Sequence, residues 1–342
     1  MSSGFSAVTA MAGSEPDPTK HVAYTFGMIL GVDEFTQEFA YLSERDRWAV
    51  RDVLGYGTVW GLRVGMRPDD GVPEIRVEPG VAVSPLGRLL RVTPAQCAKL
   101  NDWLATKTKE LTDLGVPLDT PSDIRVYVVL SYKECQTDLL PIPGEPCRSE
   151  ADTVKPSRVT DDFSLELRLS PPDQTEEDAI RDVVRWLRSH VDLSTLPGSS
   201  VPLAEFLDAF RAAVVMPPGS PPTWPPFSPG SPPDFVLDAS PASPLTIYTE
   251  DAGDYLREAL RVWVTELRPL WRPNWLGDAH SCFGAFAPVH PTDGDSVLLA
   301  ELRVPLTRAL GDAQWSVQAA AGLDPWAGVA IDESQRPWLL SL

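Results

Sequence analysis

At 342 residues and 43% apolar content, the chain is long enough to bury a sizeable core and to form two or three domains. A net charge of -19, with no visible Lys/Arg cluster, argues against nucleic acid or an anionic membrane surface as partner. Four cysteines make no disulfide scaffold, and no apolar run has the length of a secretory leader or a membrane span. A cytoplasmic protein with no direct membrane insertion is expected.

Residues 1–20 are small and polar, with Pro16 and Pro18, and read as a flexible N-terminal arm. From Glu34 to Leu54, Phe35, Phe39, Leu42, Ala49 and Val53 recur at three- and four-residue steps, which predicts an amphipathic helix ended by Gly55. Short strands follow at Thr58–Val64, Glu74–Val83 and Leu89–Val92, with turns at Pro79-Gly80 and Leu86-Gly87. Residues 21–95 are therefore a helix plus a small antiparallel β module.

Thr93-Pro94 opens a second predicted helix, which carries Cys97, Leu100, Trp103, Leu104 and Leu111. Arg125–Tyr132 is apolar throughout and reads as a buried strand, whereas Phe163–Leu169 alternates and reads as half-buried. Lys133–Asp162 between them is expected to be a long loop. Glu176–Val191 and Leu203–Val215 have helical spacing, completing an α+β central region over 96–215. Residues 216–244 are dense in proline, which removes the donor that helices and central strands need, so an arm or linker is expected. In 245–342, Tyr255–Leu267 reads as helix, Ser296–Leu302 as strand, and Trp315, Val317 and Ile331 as further β structure. The predicted class is α+β, with a central β core and a helical and β C-terminal region behind the Pro-rich insertion.

No phosphate loop, zincin helix or nucleophile elbow occurs, and acidic runs such as Glu176-Glu177-Asp178 read as solvated helix faces. No catalytic or cofactor-binding residue is assigned, and an enzyme is not expected. Cys135, Cys147, His280 and Cys282 would make a tetrahedral zinc set of three thiolates and one imidazole. Their spacing matches no zinc ribbon, and buried unliganded cysteines or a Cys135–Cys147 disulfide fit it better. Cys97 reads as a small apolar residue. Eleven tryptophans suit core anchors and subunit contacts better than a sugar groove. In the Pro-rich run, Trp224 and Phe227 are candidate anchors of an arm laid on a neighbouring subunit, with a solvated linker as the alternative. Trp60 is a third candidate contact residue.

Three stretches carry a family resemblance. Gly27 to Asp33-Glu34-Phe35 leads into a helix bearing Tyr41, Arg45 and Arg47. Gly55-Tyr56-Gly57-Thr58-Val59-Trp60-Gly61-Leu62 follows, then Val77-Glu78-Pro79-Gly80-Val81-Ala82 and Gly87-Arg88. A second block runs from Tyr132-Lys133-Glu134-Cys135 to Pro146-Cys147-Arg148-Ser149-Glu150 and Pro156-Ser157-Arg158. Over roughly Gly27 to Leu169 the chain resembles structural proteins of phage-tail-like contractile injection systems and related baseplate modules. Val59-Trp60 departs from the small residue expected before the Gly61-Leu62 turn.

The resemblance implies a structural component of a virion-like particle, at the baseplate or an accessory position. It implies partners among baseplate, tube or sheath proteins and a homo-oligomer in the assembly, with no catalytic residue to transfer. The alternatives are a fibre-like surface or glycan-binding module and, behind it, a cargo enzyme.

Overall fold

A computed structural model describes residues 16–17, 20–69, 72–116, 122–141, 154–172, 174–215, 236–237, 240–268, 295–308, 314–317 and 328–339. The chain folds as two compact units, Met1–Pro172 with Asp295–Leu342, and Asp173–Gly294. Helices and mainly antiparallel sheets make it α+β. Among the described residues no helix is long and apolar enough to cross a membrane.

The first unit opens with helix α1, Val32–Trp48, whose first turn is closed by the Glu34 carboxylate accepting from the Gly31 N–H at 2.7 Å. A π-helical turn, Ala49–Leu54, extends it to Gly55. Strands β1 (Gly57–Gly61), β2 (Val64–Asp69), β3 (Val72–Val77), β4 (Gly80–Val83), β5 (Leu89–Val92) and β6 (Gln96–Lys99) follow. The single small sheet expected here is in fact two, with strand orders β1-β4-β5 and β2-β3-β6. Both long segments break at the same level. Leu62 takes a left-handed φ of 56°, and its N–H donates to the Pro79 carbonyl at 3.3 Å beside the β3–β4 turn. The predicted Thr58–Val64 and Glu74–Val83 strands are each split by that corner.

The helix predicted from Thr93-Pro94 starts later. Gln96–Lys99 pairs with β3 before α2 (Leu100–Thr106) and α3 (Thr108–Asp113) bury Leu100, Leu104 and Leu111. Cys97 accordingly lies on a strand, exposed, and is not a buried helical residue. The largest correction is the loop expected over Lys133–Asp162. Strands β7 (Ser122–Pro141) and β8 (Val154–Arg168) stay paired from Tyr127↔Arg168 out to Pro141↔Val154. The outer part of this hairpin is solvent-exposed, so it lacks the one-sided apolar pattern by which strands are recognised.

Strand β13 (Ser296–Thr307) pairs with β7 over ten residue pairs, from Ser296↔Ser131 to Leu306↔Ser122. It brings the end of the chain into the core of the first unit, with β14 (Ser316–Val317) and β15 (Ala330–Asp332) along its other edge. Val126, Val128, Leu130, Leu299 and Trp315 pack with Leu62, Leu90 and Leu100 in one cluster. Beyond β15 the chain turns back on Arg336. Its side chain is 1% exposed, and its Nε donates to the Leu299 carbonyl at 2.7 Å. A second guanidinium N–H donates to the Leu62 carbonyl, and Glu333 lies 3.4 Å away.

In the second unit, α4 (Thr175–His190) leads into β9 (Val191–Ser194), α5 (Leu203–Ala212) and β10 (Val214–Val215). Then come β11 (Val236–Leu237), β12 (Leu245–Tyr248), α6 (Ala252–Val262) and a second π-helical turn, Trp263–Leu267. The parallel pair β9–β12 forces a crossover connection, and α5 provides its helical part. Val236–Leu237, inside the stretch expected to be a proline arm, pairs with β10 because this short piece is proline-free. Trp186, Phe206, Phe210, Val262 and Trp263 form the core. The Arg211 guanidinium grips Glu266 at 2.7 and 2.9 Å and holds that carboxyl below the usual carboxylate range.

A Cβ on Gly80 would lie 2.4 Å from the Leu62 nitrogen and 2.5 Å from the Trp60 carbonyl oxygen. On Gly57, at φ 129°, it would lie 2.7 Å from the Pro337 carbonyl. Gly80→Val and Gly57→Val should each cost about 2 kcal/mol or more, read as a lower denaturation midpoint. Wild-type midpoints would show that these turns can relax. Arg336→Met should cost about 3 kcal/mol by the same assay, because two buried carbonyls and Glu333 lose their partner.

Candidate interaction surface

The first unit exposes two apolar features and one polar network. At β1 the ladder to β4 skips a residue between Thr58↔Ala82 and Trp60↔Val81. This bulge leaves Val59 unpaired, and Val59 and Trp60 are both exposed, Trp60 at 57%. The outer edge of β1 is covered by the chain end. The Thr58 N–H donates to the Pro337 carbonyl at 2.8 Å, and the Leu339 N–H donates to the Thr58 carbonyl at 2.9 Å. That pairing fixes Trp338 beside β1 with 48% of its surface exposed. Trp60 is exposed, as a contact residue must be; Trp338 was not singled out in the sequence, because only the return of the chain places it beside β1.

The second feature is α1. It buries no residue, and Phe35 and Phe39 are 62% and 69% exposed. The apolar face predicted for this helix exists, but it does not face the core of its own unit. The end of the N-terminal arm is instead fixed to another side of the helix. The Asp17 N–H donates to Gln37 Oε1 at 2.9 Å, and the Val22 N–H donates to Glu38 Oε2 at 2.8 Å.

The polar network ties the β4–β5 turn to β7. Ser84 Oγ donates to Asp295 Oδ1 at 2.7 Å, and Arg88 pairs with Asp295 Oδ2 at 3.1 Å while lying over the Tyr132 ring at 4.3 Å. The Tyr132 hydroxyl faces Asp161 at 2.5 Å and Glu134 at 3.1 Å. Burial first, then these two carboxylates, push the phenol well above its ordinary value. A phenol locked in its neutral form between two acceptors is a brace, and it is a poor proton donor to any third group.

Cys135 is a free thiol near this network and donates to Asp162 Oδ2 at 3.2 Å. Hydrogen bonding to that carboxylate pushes the thiol pKa up. Cys147, His280 and Cys282, and the arm anchors Trp224 and Phe227, lie outside the described residues. Among the described residues no group of three or more His, Cys, Asp or Glu side chains converges as a metal site. A cleft of about 290 Å³ lies between β3 and β6 on one side and β8 on the other, lined by Ile75, Val77, Val128 and Leu165. Its carboxylate, Glu166, is already held by Arg168 at 3.0 Å and Ser164 at 3.1 Å. No protein-family profile matches this chain, and no curated protein gives a significant match.

Tyr132→Phe should leave the phenolate absorbance at about pH 10 unchanged, although an ordinary tyrosine is half ionised there. Loss of half a tyrosine's absorbance at that pH would show that Tyr132 is not held by its carboxylates.

Proposed function

We propose that this chain is a structural component of a phage-tail-like contractile injection particle, at the baseplate or an accessory position, acting through subunit contacts in the cytoplasm. The observation that carries the reading is the large apolar surface on α1 and around Trp60. Isolated exposed apolar residues are ordinary, but contiguous ones on ordered secondary structure mark association surfaces. Trp60 and Trp338 sit on backbone held by ladder pairing and by the buried Arg336, so little ordering entropy is lost when they dock. The partners in this reading are baseplate, tube or sheath proteins and further copies of the chain. Rigid surfaces and tethers raise local concentration, so each contact need not be strong.

The test is capture of the tagged chain from its native cells, with mass spectrometry and electron microscopy of the eluate. Sheath, tube and baseplate proteins with tail-like particles are expected to co-purify. Trp60→Glu should reduce their recovery at least tenfold while leaving the melting temperature within about 2 °C, because an exposed site contributes little to the isolated fold. A clean chain without such partners would overturn the particle reading.

A further inference from the structure

Between Val32 and Ala49 one line of residues along the first helix follows an alternating three-and-four spacing: Val32, Phe35, Phe39, Leu42, then Asp46 and Ala49, where the π-helical turn begins. That is the 3.5-residue repeat of a coiled-coil seam, with one polar member. Every position on it is solvent-exposed, with Val32 at 80% and Leu42 at 45%. The chain has already used the side of the helix that adjoins the seam, where Gln37 and Glu38 Oε2 hold residues 17–22 and Tyr41 stacks on His21 with centroids 5.2 Å apart. Arg47, near the end of α1, rests against Gly87 of the β4–β5 turn, so the helix is anchored there while its seam stays open. The helix buries none of its own residues, so its seam is free of intramolecular packing among the described residues and open to a partner.

We propose that the seam pairs with the same seam of a second copy of this chain, in an antiparallel two-helix contact. Two features select this occupant. Exposed apolar surface over Val32, Phe35, Phe39 and Leu42 comes to roughly 500 Å² per chain, so a pair has about 1,000 Å² to bury, where specific association begins. Charge sets the direction. In a parallel pair Asp46 faces the partner's Asp46, and the flanking Glu38 and Arg45 meet only Ser43 and Val50 of the partner subunit. In the antiparallel pair Asp46 instead lies opposite the partner's Phe35. Phe39 packs on the partner's Leu42, Val32 packs on the partner's Ala49, and Glu38, whose Oε2 already accepts from the Val22 N–H, turns Oε1 to the partner's Arg45 in two symmetric ion pairs. The single polar seam position costs some stability and disfavours other registers. The contact deepens the homo-oligomer part of the proposed function and rests on that part alone.

Sedimentation equilibrium of the purified full chain should give a dimer. Phe39→Glu should raise its dissociation constant by about a hundredfold or more, with the β-sheet circular dichroism unchanged. A monomeric wild type, or a dimer indifferent to Phe39→Glu, overturns the proposal. So does a monomer that melts lower on the same substitution, since the chain would then be covering its own seam. Direction is read by disulfide trapping in a background with the four native cysteines replaced by serine. A mixture of Val32→Cys and Ala49→Cys chains should yield the mixed cross-link, whereas Val32→Cys cross-linking to itself overturns the antiparallel arrangement. A dimer that passes these tests but captures no particle proteins refutes the particle reading and leaves this contact standing.

Discussion

The architecture of the first unit depends on one buried cation. Strand β13 skips a residue at Leu299 where it pairs with β7, and the chain turns a left-handed corner at Leu62 between β1 and β2. Each irregularity sits at a fully buried residue and offers a carbonyl that regular pairing does not use. Arg336 answers both, donating to Leu299 and Leu62, while Glu333 accepts from the Val64 N–H at 3.1 Å and balances the charge. Desolvation pulls the guanidinium pKa down, yet arginine starts so high that it stays charged. A lysine would not present a planar fork to two carbonyls held by different strands.

From that anchor the exposed chemistry follows. The turn that buries Arg336 delivers Pro337–Leu339 to the free edge of β1, which would otherwise be a template for unwanted strand addition. Covering the edge leaves only the face of β1 available, and the bulge at Val59 turns two consecutive apolar residues outward there. On the far side of β4, Ser84, Arg88, Asp295 and Tyr132 brace the β4–β5 turn against β7, and α1 comes to rest on that turn through Arg47 and Gly87. The apolar surfaces therefore stand on a stiff support.

How much of this was legible in the sequence differs by element. Leu89–Val92 and the helices beginning near Thr175 and Leu203 could be read directly, because each has one buried face and a clean boundary. The outer β7–β8 hairpin could not, since residues such as Lys133, Gln136, Thr160 and Asp162 are exposed and encode no apolar side. The parallel pairing of β9 with β12 was equally silent, because the partners are four residues each and lie far apart in the chain. Trp60 could be picked out in the sequence as a candidate for the surface, whereas Trp338 and Arg336 reach their places only through long-range pairing that no local pattern announces.

The two longest helices show what periodicity leaves undecided. Along α4, Ala179, Val183 and Trp186 are buried, with Ile180 and Leu187 packed beside them, so the apolar stripe is broad and includes adjacent pairs. That width is what a curved, multi-element core requires of a helix. Along α1 the stripe is narrow, keeps the strict 3.5-residue spacing and buries nothing. Both helices read as amphipathic, and sequence alone would send both to a core. Width separates them: a broad face is matched to many neighbours at varied angles, whereas a narrow seam is matched to one other helix lying nearly alongside. Both stripes repeat at helical spacing, so it takes the exposed surface of α1 to show that no helix among the described residues of its unit lies along that seam.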